Sequence, residues 1–136
     1  MSRIPRRLRR LVTLRARGRC EYCGLSQAGQ EATFHIDHVV PSAKRGRTAL
    51  DNLALACVSC SLRKEARQSA LDPETGRQVK LFNPRRQRWQ DHFRWNGVQL
   101  IGLTATGRAT ISALRMNRSL ILAIRNEEMK HGRHPQ

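Results

Sequence analysis

Apolar residues recur at helical spacing in two stretches, one near each end of the chain. Between Pro5 and Gly18, leucine and valine alternate with arginine at that spacing, after a proline suited to a first turn and before a glycine suited to a C-terminal cap. This pattern predicts a short basic helix. From about Thr106 to Lys130, a second pattern predicts one long helix with a packed face and a basic face. The residues predicted for the packed face are Ala109, Ala113, Met116, Leu120, Ala123 and Ile124.

The middle of the chain carries shorter apolar runs bounded by turn residues, as is typical of strands. Thr33 to Val40 and Gln78 to Phe82 are predicted strands. The pair Asn96-Gly97 predicts a tight type I′ hairpin between two further strands. Strong helix formers occupy Ser61 to Gln68 and predict a helix there. Helices and short strands together predict an α+β fold.

The size of the chain limits it to a modest core. With 136 residues, 39% apolar and 4% aromatic, we expect a single domain over residues 1–136 that is helped by a metal or a partner. The basic start has no apolar stretch followed by a small-residue cleavage site, and the longest apolar run, near Leu120, is far too short to span a bilayer. We therefore expect a cytoplasmic protein with no membrane partner.

The charge of the chain is strongly positive. It has 26 Lys+Arg against 10 Asp+Glu, which gives a formal net charge of +16. Arginines far outnumber lysines, and the planar guanidinium group binds phosphate through two parallel hydrogen bonds. The composition indicates a polyanionic partner such as nucleic acid. A surface that is basic only for solubility, or a component of a ribosome-like particle, is the alternative.

All four cysteines occur in two C-x-x-C pairs, which are Cys20 with Cys23 and Cys57 with Cys60. Cysteines in the cytoplasm bind metals more often than they form disulfides. Two residues between the cysteines let both sulfurs reach one ion, and two such pairs complete the tetrahedral thiolate shell of a structural zinc site. A thioredoxin-like redox pair and four free buried thiols are the alternatives.

The sequence His35-Ile36-Asp37-His38 lies between the two cysteine pairs and carries the candidate chemistry. On a regular strand His35 and Asp37 share one face and His38 points to the other, so a common site needs a bend or bulge at the strand end, near Pro41. A carboxylate suits Mg²⁺, and a neutral imidazole can accept a proton from water. A purely structural histidine pair is the alternative.

The ordered set C-x-x-C, HIDHVVP, DNLALAC and C-x-x-C resembles the HNH endonuclease family over Arg19 to about Arg67. The resemblance implies a small ββα-metal (His-Me finger) core with a structural zinc, here within residues 19–67. We expect the N-terminal basic helix to precede this core. Residues 72–130 are expected to form a C-terminal extension with the hairpin and the long helix.

The resemblance also implies roles for individual residues. His38 corresponds to the general base and Asp37 to the ligand of the catalytic divalent ion, which would be Mg²⁺, Mn²⁺ or another ion. Asn52 corresponds to the residue that braces the loop between the strands, and His35 to a polar position near the metal. Ser61 stands where the family usually has a histidine or asparagine ligand after the second C-x-x-C. The implied zinc ligands are Cys20, Cys23, Cys57 and Cys60.

The expected function is metal-dependent hydrolysis of phosphodiester bonds in DNA, most simply double-stranded, with no small-molecule cofactor. Basic residues in the loop and after the second cysteine pair are expected to bind the backbone without reading bases. These are Lys44, Arg45, Arg47, Arg63, Lys64 and Arg67. Two alternatives are a non-catalytic, zinc-stabilised nucleic-acid-binding module and a structural zinc protein of a ribonucleoprotein.

Overall fold

The computed structural model describes residues 4–135, in which five α-helices accompany three two-stranded antiparallel sheets. This content confirms the predicted α+β class. The chain falls into two compact units. The first unit contains the residues up to Ala66 together with Asn83–Arg86. The second unit contains Arg67–Phe82 and the chain from Gln87 onwards.

The first unit begins with the predicted basic helix. Helix α1 spans Arg6–Arg15, and Pro5 immediately precedes it. The C-cap is Ala16, and the two residues after it, Arg17 and Gly18, both have left-handed φ angles of 55° and 68°. The Gly18 N–H bonds the Thr13 carbonyl at 3.0 Å and so closes the end of the helix. Val12 is fully buried, while the arginines on the other side of the helix are exposed. Burial of this single position attaches an otherwise polar helix to the unit.

A short hairpin follows α1 in the first unit. Strand β1, His35–His38, pairs antiparallel with strand β2, Leu53–Ala56, and all of β2 is buried. The register is regular from end to end, and β1 is shorter than the predicted strand at both ends. The chain bends at residues 39–40, directly after His38. The sheet is thus confined to the few residues that present the His/Asp sequence.

Helix α2, Val58–Lys64, packs next to the hairpin. Its N-cap is Cys57, whose sulfur accepts a hydrogen bond from the backbone N–H of Cys60. The helix ends at Glu65, which has a φ of 49°. The helix therefore starts and ends earlier than the predicted stretch from Ser61 to Gln68, because the second cysteine pair forms its first turn.

The second unit begins with a hairpin of strands β3, Ser69–Leu71, and β4, Gln78–Lys80. Strand β4 was predicted, but its partner β3 was missed because helix-forming residues precede it directly. The turn between the strands is organised by Asp72, whose carboxylate is fully buried and accepts two hydrogen bonds from Arg108 at 3.0 Å. These charged hydrogen bonds hold the pKa of Asp72 well below its usual range.

A second hairpin follows the short helix α3, Trp89–His92. Strands β5, Phe93–Asn96, and β6, Gln99–Gly102, pair antiparallel. The hairpin confirms the prediction, but its two-residue loop is Gly97-Val98 and not Asn96-Gly97. Gly97 has a φ of +64°, and Val98 has no positive φ, which corresponds to a type II′ and not a type I′ turn. A β-branched valine disfavours the second positive φ that type I′ requires.

The predicted long C-terminal helix is wrong, because the structure has two helices there. They are α4, Ala105–Ala113, and α5, Ser119–Lys130. The Asn117 side chain lies between them, accepting from the backbone N–H of Leu100 and donating to its carbonyl, both at 2.8 Å. No helix within residues 4–135 is long and apolar enough to cross a bilayer.

The break between the helices also changes which residues are buried. Leu120, predicted for the packed face, is 65% exposed, whereas Arg125 is 2% exposed. The Arg125 guanidinium donates to the carbonyl of Val98 at 2.9 Å and lies 4.9 Å from the centre of the Trp95 ring. Contacts from residues distant in the sequence therefore accommodate a buried guanidinium on this helix, and apolar periodicity alone misassigns its packed face.

Candidate active site and metal centre

The four cysteines form one buried cluster in the first unit. Their sulfurs all lie within 4.8 Å of one another, and each residue is at most 3% exposed. The sulfurs of Cys23 and Cys57 are 3.7 Å apart. Zinc–sulfur bonds of about 2.3 Å in a tetrahedron place the sulfurs about 3.8 Å apart, so the cluster fits a zinc ion. The cysteines are positioned to form a metal site, as predicted.

The chemistry of the cluster also favours a cation. Hydrogen bonds from the three neighbouring thiols, and then burial, raise the pKa of Cys60 well above its ordinary value. The Cys60 thiol therefore resists ionisation unless a positive ion compensates the charge of its thiolate. A zinc ion would bind all four as thiolates and leave no ligand position open, which is the arrangement of a structural site.

The first cysteine pair is attached directly to strand β2. Glu21, between the two cysteines, donates its backbone N–H to the carbonyl of Leu55, and its carboxylate accepts the N–H of Leu55, both at 2.8 Å. The same carboxylate forms an ion pair with Arg85. These contacts link the cysteine cluster to the hairpin that carries the His/Asp sequence.

An open cavity of about 970 Å³ lies along strand β1 and helix α2. Four of the predicted site residues line it, namely His35, Asp37, His38 and Ser61. The bend at residues 39–40 comes directly after His38, where the alternation of strand side chains ends. The structure therefore brings these four residues to one cavity although β1 itself contains no bulge.

Asp37 is buried, and one of its two carboxylate oxygens is occupied. Oδ2 accepts a hydrogen bond from the Tyr22 hydroxyl at 2.8 Å and lies 3.1 Å from the Lys64 ammonium. Oδ1 has no hydrogen-bond partner among residues 4–135. Burial raises the pKa of Asp37 although Lys64 and Tyr22 both act to lower it. One oxygen is thus used for orientation, and the other is left for a ligand.

Lys64 does not lie on the phosphate-binding surface predicted for it. Its side chain is only 2% exposed, and its ammonium also donates to the carbonyl of His38 at 3.1 Å. Lys64 lies one helical turn after Ser61 on α2, so it faces the same strand. Its contacts fix the positions of Asp37 and of the backbone at His38.

His38 makes one side-chain contact. Its Nε2 lies 2.9 Å from the Thr48 hydroxyl, which belongs to the loop between β1 and β2. Within the part of the chain that the structure describes, Nδ1 has no partner. If Nε2 carries the proton and donates it to Thr48, Nδ1 is the basic nitrogen. The contact selects the ring orientation and is compatible with the tautomer that a general base requires.

His35 and Ser61 meet across the strand and the helix. Nδ1 of His35 lies 2.9 Å from the Ser61 hydroxyl, and both side chains are partly exposed to the cavity. The pair brings a hydroxyl and an imidazole to the wall that Asp37 also lines. Oxygen and nitrogen donors therefore converge on this cavity, which Glu65 also lines.

Comparison with known proteins gives one match. Residues 20–67 match the family model of the HNH endonucleases. This nuclease family is the one that the sequence motifs resemble, so the predicted family is confirmed for this segment. No curated protein and no solved structure matches the chain significantly. We refer to residues 20–67 as the HNH segment.

The HNH segment offers a donor set that fits a divalent ion of the Mg²⁺ type. Such ions bind proteins through one or two carboxylates and complete their coordination with water and substrate phosphate. Asp37 supplies a free carboxylate oxygen, and Ser61 with His35 supplies the neighbouring polar groups. The ion pair with Lys64 leaves one carboxylate oxygen for coordination.

Asn52 of the HNH segment lies outside the cavity and organises the loop. Its side chain bonds the backbone N–H and carbonyl of Val40, at 2.9 and 3.0 Å, and the carbonyl of Arg47 at 2.9 Å. Gly46 is required nearby, since a Cβ there would lie 1.7 Å from the Val40 carbonyl oxygen. The loop that carries Thr48 is therefore held at both ends by one amide side chain.

The basic residues predicted to bind nucleic acid are distributed over several environments. Lys44, Arg45 and Arg47 are exposed in the loop, and Arg45 and Arg47 line a separate cavity of about 220 Å³. Arg63 donates to the Ser59 hydroxyl at 3.1 Å. Arg67 belongs to the second unit and donates to the Ala113 carbonyl at 3.1 Å. The loop residues present the most accessible positive charge of this set.

Sequence reasoning missed three residues that contact the site. Tyr22 and Thr48 hydrogen-bond to Asp37 and His38, and Lys64 contacts both. No local pattern marks the contact of Lys64 with Asp37, which lies 27 residues earlier in the chain. No local pattern marks Tyr22 or Thr48, because their partners lie 15 and 10 residues away in the chain.

Proposed function

We propose that the protein is a metal-dependent HNH endonuclease that hydrolyses phosphodiester bonds in double-stranded DNA. The observation that carries the proposal is the cavity in the HNH segment. Asp37 and His38 each use one side-chain atom for orientation there and keep one without a partner among the described residues. Oriented groups with a free reactive atom are what general base and metal-ligand roles require.

His38 is the proposed general base. With Nε2 donating to Thr48, Nδ1 accepts a proton from the attacking water. The water oxygen then forms a bond to phosphorus while the bond from phosphorus to the 3′-oxygen breaks. The leaving oxygen takes up a proton from solvent. His38 returns to its neutral form by releasing its own proton.

Asp37 is the proposed ligand of the catalytic ion, which would be Mg²⁺ or Mn²⁺. When bound, such an ion would supply Lewis acidity to the phosphate and to the leaving oxygen. Tyr22 and Lys64 hold Oδ2 and leave Oδ1 for the ion. Ser61, positioned by its contact with His35, is the proposed second protein ligand, directly or through water.

The cysteine cluster is proposed to bind a structural zinc that takes no part in the chemistry. Its four ligands are buried and complete, so no position is open for water or substrate. The exposed loop residues Lys44, Arg45 and Arg47, with Arg63, are proposed to bind the DNA backbone without sequence preference. The formal net charge of +16 supports a polyanionic substrate.

The test is the conversion of supercoiled plasmid to nicked or linear DNA with added Mg²⁺ or Mn²⁺. We expect His38→Ala to lower the rate by roughly two to four orders of magnitude, as is typical for loss of a general base. Zinc content and melting temperature should stay unchanged. His131→Ala, at an exposed histidine far along the chain, is the matched control and should cleave like the wild type. Equal cleavage by His38→Ala would refute the assignment.

The second candidate function is a zinc-stabilised nucleic-acid-binding module that cleaves nothing. The observation that favours it is the Lys64 ammonium, which already compensates the charge of Asp37 at 3.1 Å. A wild-type protein that binds DNA but produces no nicks across a series of divalent ions would support this alternative.

A further inference from the structure

The cavity of the candidate site adjoins a second cavity along helix α1. This neighbouring cavity has a volume of about 510 Å³ and is lined by Arg6, Arg9 and Arg10 of that helix. The two cavities share four lining residues, so they adjoin one another. The shared residues are Arg9, Thr33, Phe34 and Ile36. We call the second cavity the α1 groove. Its arginines precede the family match, whereas the residues that line it on the strand side, among them Phe34 and Leu55, lie within the HNH segment.

The three arginines of the α1 groove are available to a ligand. Each is exposed, and within residues 4–135 none of them uses its guanidinium in a hydrogen bond or an ion pair. The first turn of α1 contains no acidic residue. By contrast, Arg15 on the same helix donates to the carbonyls of Leu50 and Leu53, at 2.8 and 2.6 Å. Arg15 therefore attaches the helix, while the other three present charge.

The spacing of these arginines matches an extended anion. They occupy positions i, i+3 and i+4, which share one side of a helix and span about 6 Å along its axis. Phe34 and Leu55, both buried, form the floor of the groove between them and the strands. Such a row of guanidinium groups above an apolar floor suits consecutive phosphates joined by sugars.

We propose that the α1 groove binds the sugar–phosphate backbone of the DNA strand that is cut, beside the scissile phosphate. Arg9 is the phosphate-binding residue nearest the reaction, since it lines both cavities. The proposal rests on the proposed function for the identity of the strand. The wall shared with the cavity of Asp37 and His38 favours a nucleic-acid strand over an acidic peptide, because a strand bound for cleavage there passes directly beside the groove.

The binding test uses a short fluorescein-labelled DNA duplex, a salt titration and no added divalent ion. We expect Arg9→Ala to weaken binding about tenfold, the typical effect of losing a charged hydrogen bond. We also expect the slope of log K against log salt to fall by roughly one, as for one lost phosphate contact. Arg7→Ala is the matched control, since Arg7 is exposed on the same helix and lines neither cavity.

A second variant guards against effects on folding. Arg9→Lys keeps the charge and loses the planar fork, so its affinity should lie between those of the wild type and Arg9→Ala. Zinc content and melting temperature should be the same in all variants. Equal losses of DNA affinity in Arg7→Ala and Arg9→Ala would overturn the proposal, because they would show that the overall positive charge of α1 binds the duplex and not the groove. A polyglutamate peptide that competes as well as unlabelled duplex would overturn it in favour of an acidic peptide.

The plasmid assay separates this proposal from the catalytic one. Where the wild type cleaves, Arg9→Ala should raise KM with little change in kcat, because Arg9 contributes binding and not chemistry. A wild type that cleaves nothing while Arg9→Ala still weakens binding would refute the nuclease and retain the groove. Full cleavage and full binding by Arg9→Ala would refute the groove and leave the nuclease intact.

Discussion

The cysteine cluster and the cavity of the candidate site share helix α2 and differ in how completely their polar groups are satisfied. Helix α2 serves both, since Cys57 and Cys60 lie at its start and Ser61 and Lys64 in its next turn. Every thiol of the cluster is buried among the other three. In the cavity, Asp37 has one oxygen that is left without a partner among residues 4–135.

This difference separates a structural site from a reactive one. A buried, complete ligand shell lowers the free energy of the fold and has no capacity for a substrate. A half-satisfied carboxylate costs stability, because burial raises its pKa, and keeps the capacity to bind an ion. The comparison predicts that changes in the cluster affect folding first, while changes in the cavity affect rate first.

The largest effect is expected from Cys57→Ser. Loss of one thiolate breaks the shell, and structural zinc sites contribute on the order of 10 kcal/mol, so we expect loss of zinc and of cooperative unfolding. The measurements are metal content and a thermal melt followed by circular dichroism. Ser59→Ala, between the same two cysteines, is the control and should retain both. Normal zinc content and melting temperature in Cys57→Ser would show that the thiols are not the metal site.

Lys64→Met should lower the free energy of unfolding. Removing the ammonium leaves the buried Asp37 charge uncompensated, which typically costs about 3–5 kcal/mol. Denaturant unfolding measures this loss, and zinc content should not change. Lys44→Met, at an exposed lysine, is the control and should have little effect.

The loss in Lys64→Met should also depend on pH. When a carboxyl has a higher pKa in the folded state than in the unfolded state, the folded protein is most stable at low pH, where the group is protonated. The folded protein loses this stability as the pH rises through the folded pKa. The deficit should therefore grow from acidic to neutral pH. Adding Asp37→Asn should recover most of it. A deficit that is constant with pH, or that persists in the double variant, would contradict the ion-pair explanation.

The smallest of these effects on stability is expected from Thr48→Val. The substitution removes the hydroxyl that orients His38 while keeping the shape of the side chain, so stability should change by about 1 kcal/mol or less. Under the proposed function the cleavage rate should fall about tenfold, since an unoriented imidazole samples both tautomers. Thr48→Ser should restore the rate. A rate unchanged in Thr48→Val would show that this contact does not position the base.

Features with a local cause were predictable from the sequence. The C-x-x-C pairs, the proline and glycine that bound α1, and the glycine of the hairpin near Asn96 each act within a few residues of themselves. In the HNH segment, residue type and order were enough to name Asp37 and His38 as candidate site residues. The cavity that contains them is formed largely by the hairpin and α2, which the same motifs define.

Features that depend on distant residues were not predictable. The break between α4 and α5 comes with a side chain, Asn117, that bonds the backbone of Leu100, 17 residues away. The sequence predicts Lys64 to be a surface cation, because nothing near it in the chain shows that its ammonium contacts Asp37, 27 residues earlier.

By itself, the sequence determined the family of the segment, the four cysteines positioned to form a metal site and the residue types of the candidate site. Only the tertiary structure decided which atoms are committed and which are free. It assigns Oδ2 of Asp37 to Tyr22 and Lys64, and Nε2 of His38 to Thr48. The physical reason is that residue type sets what a group can bind, whereas long-range packing sets which of its atoms still needs a partner.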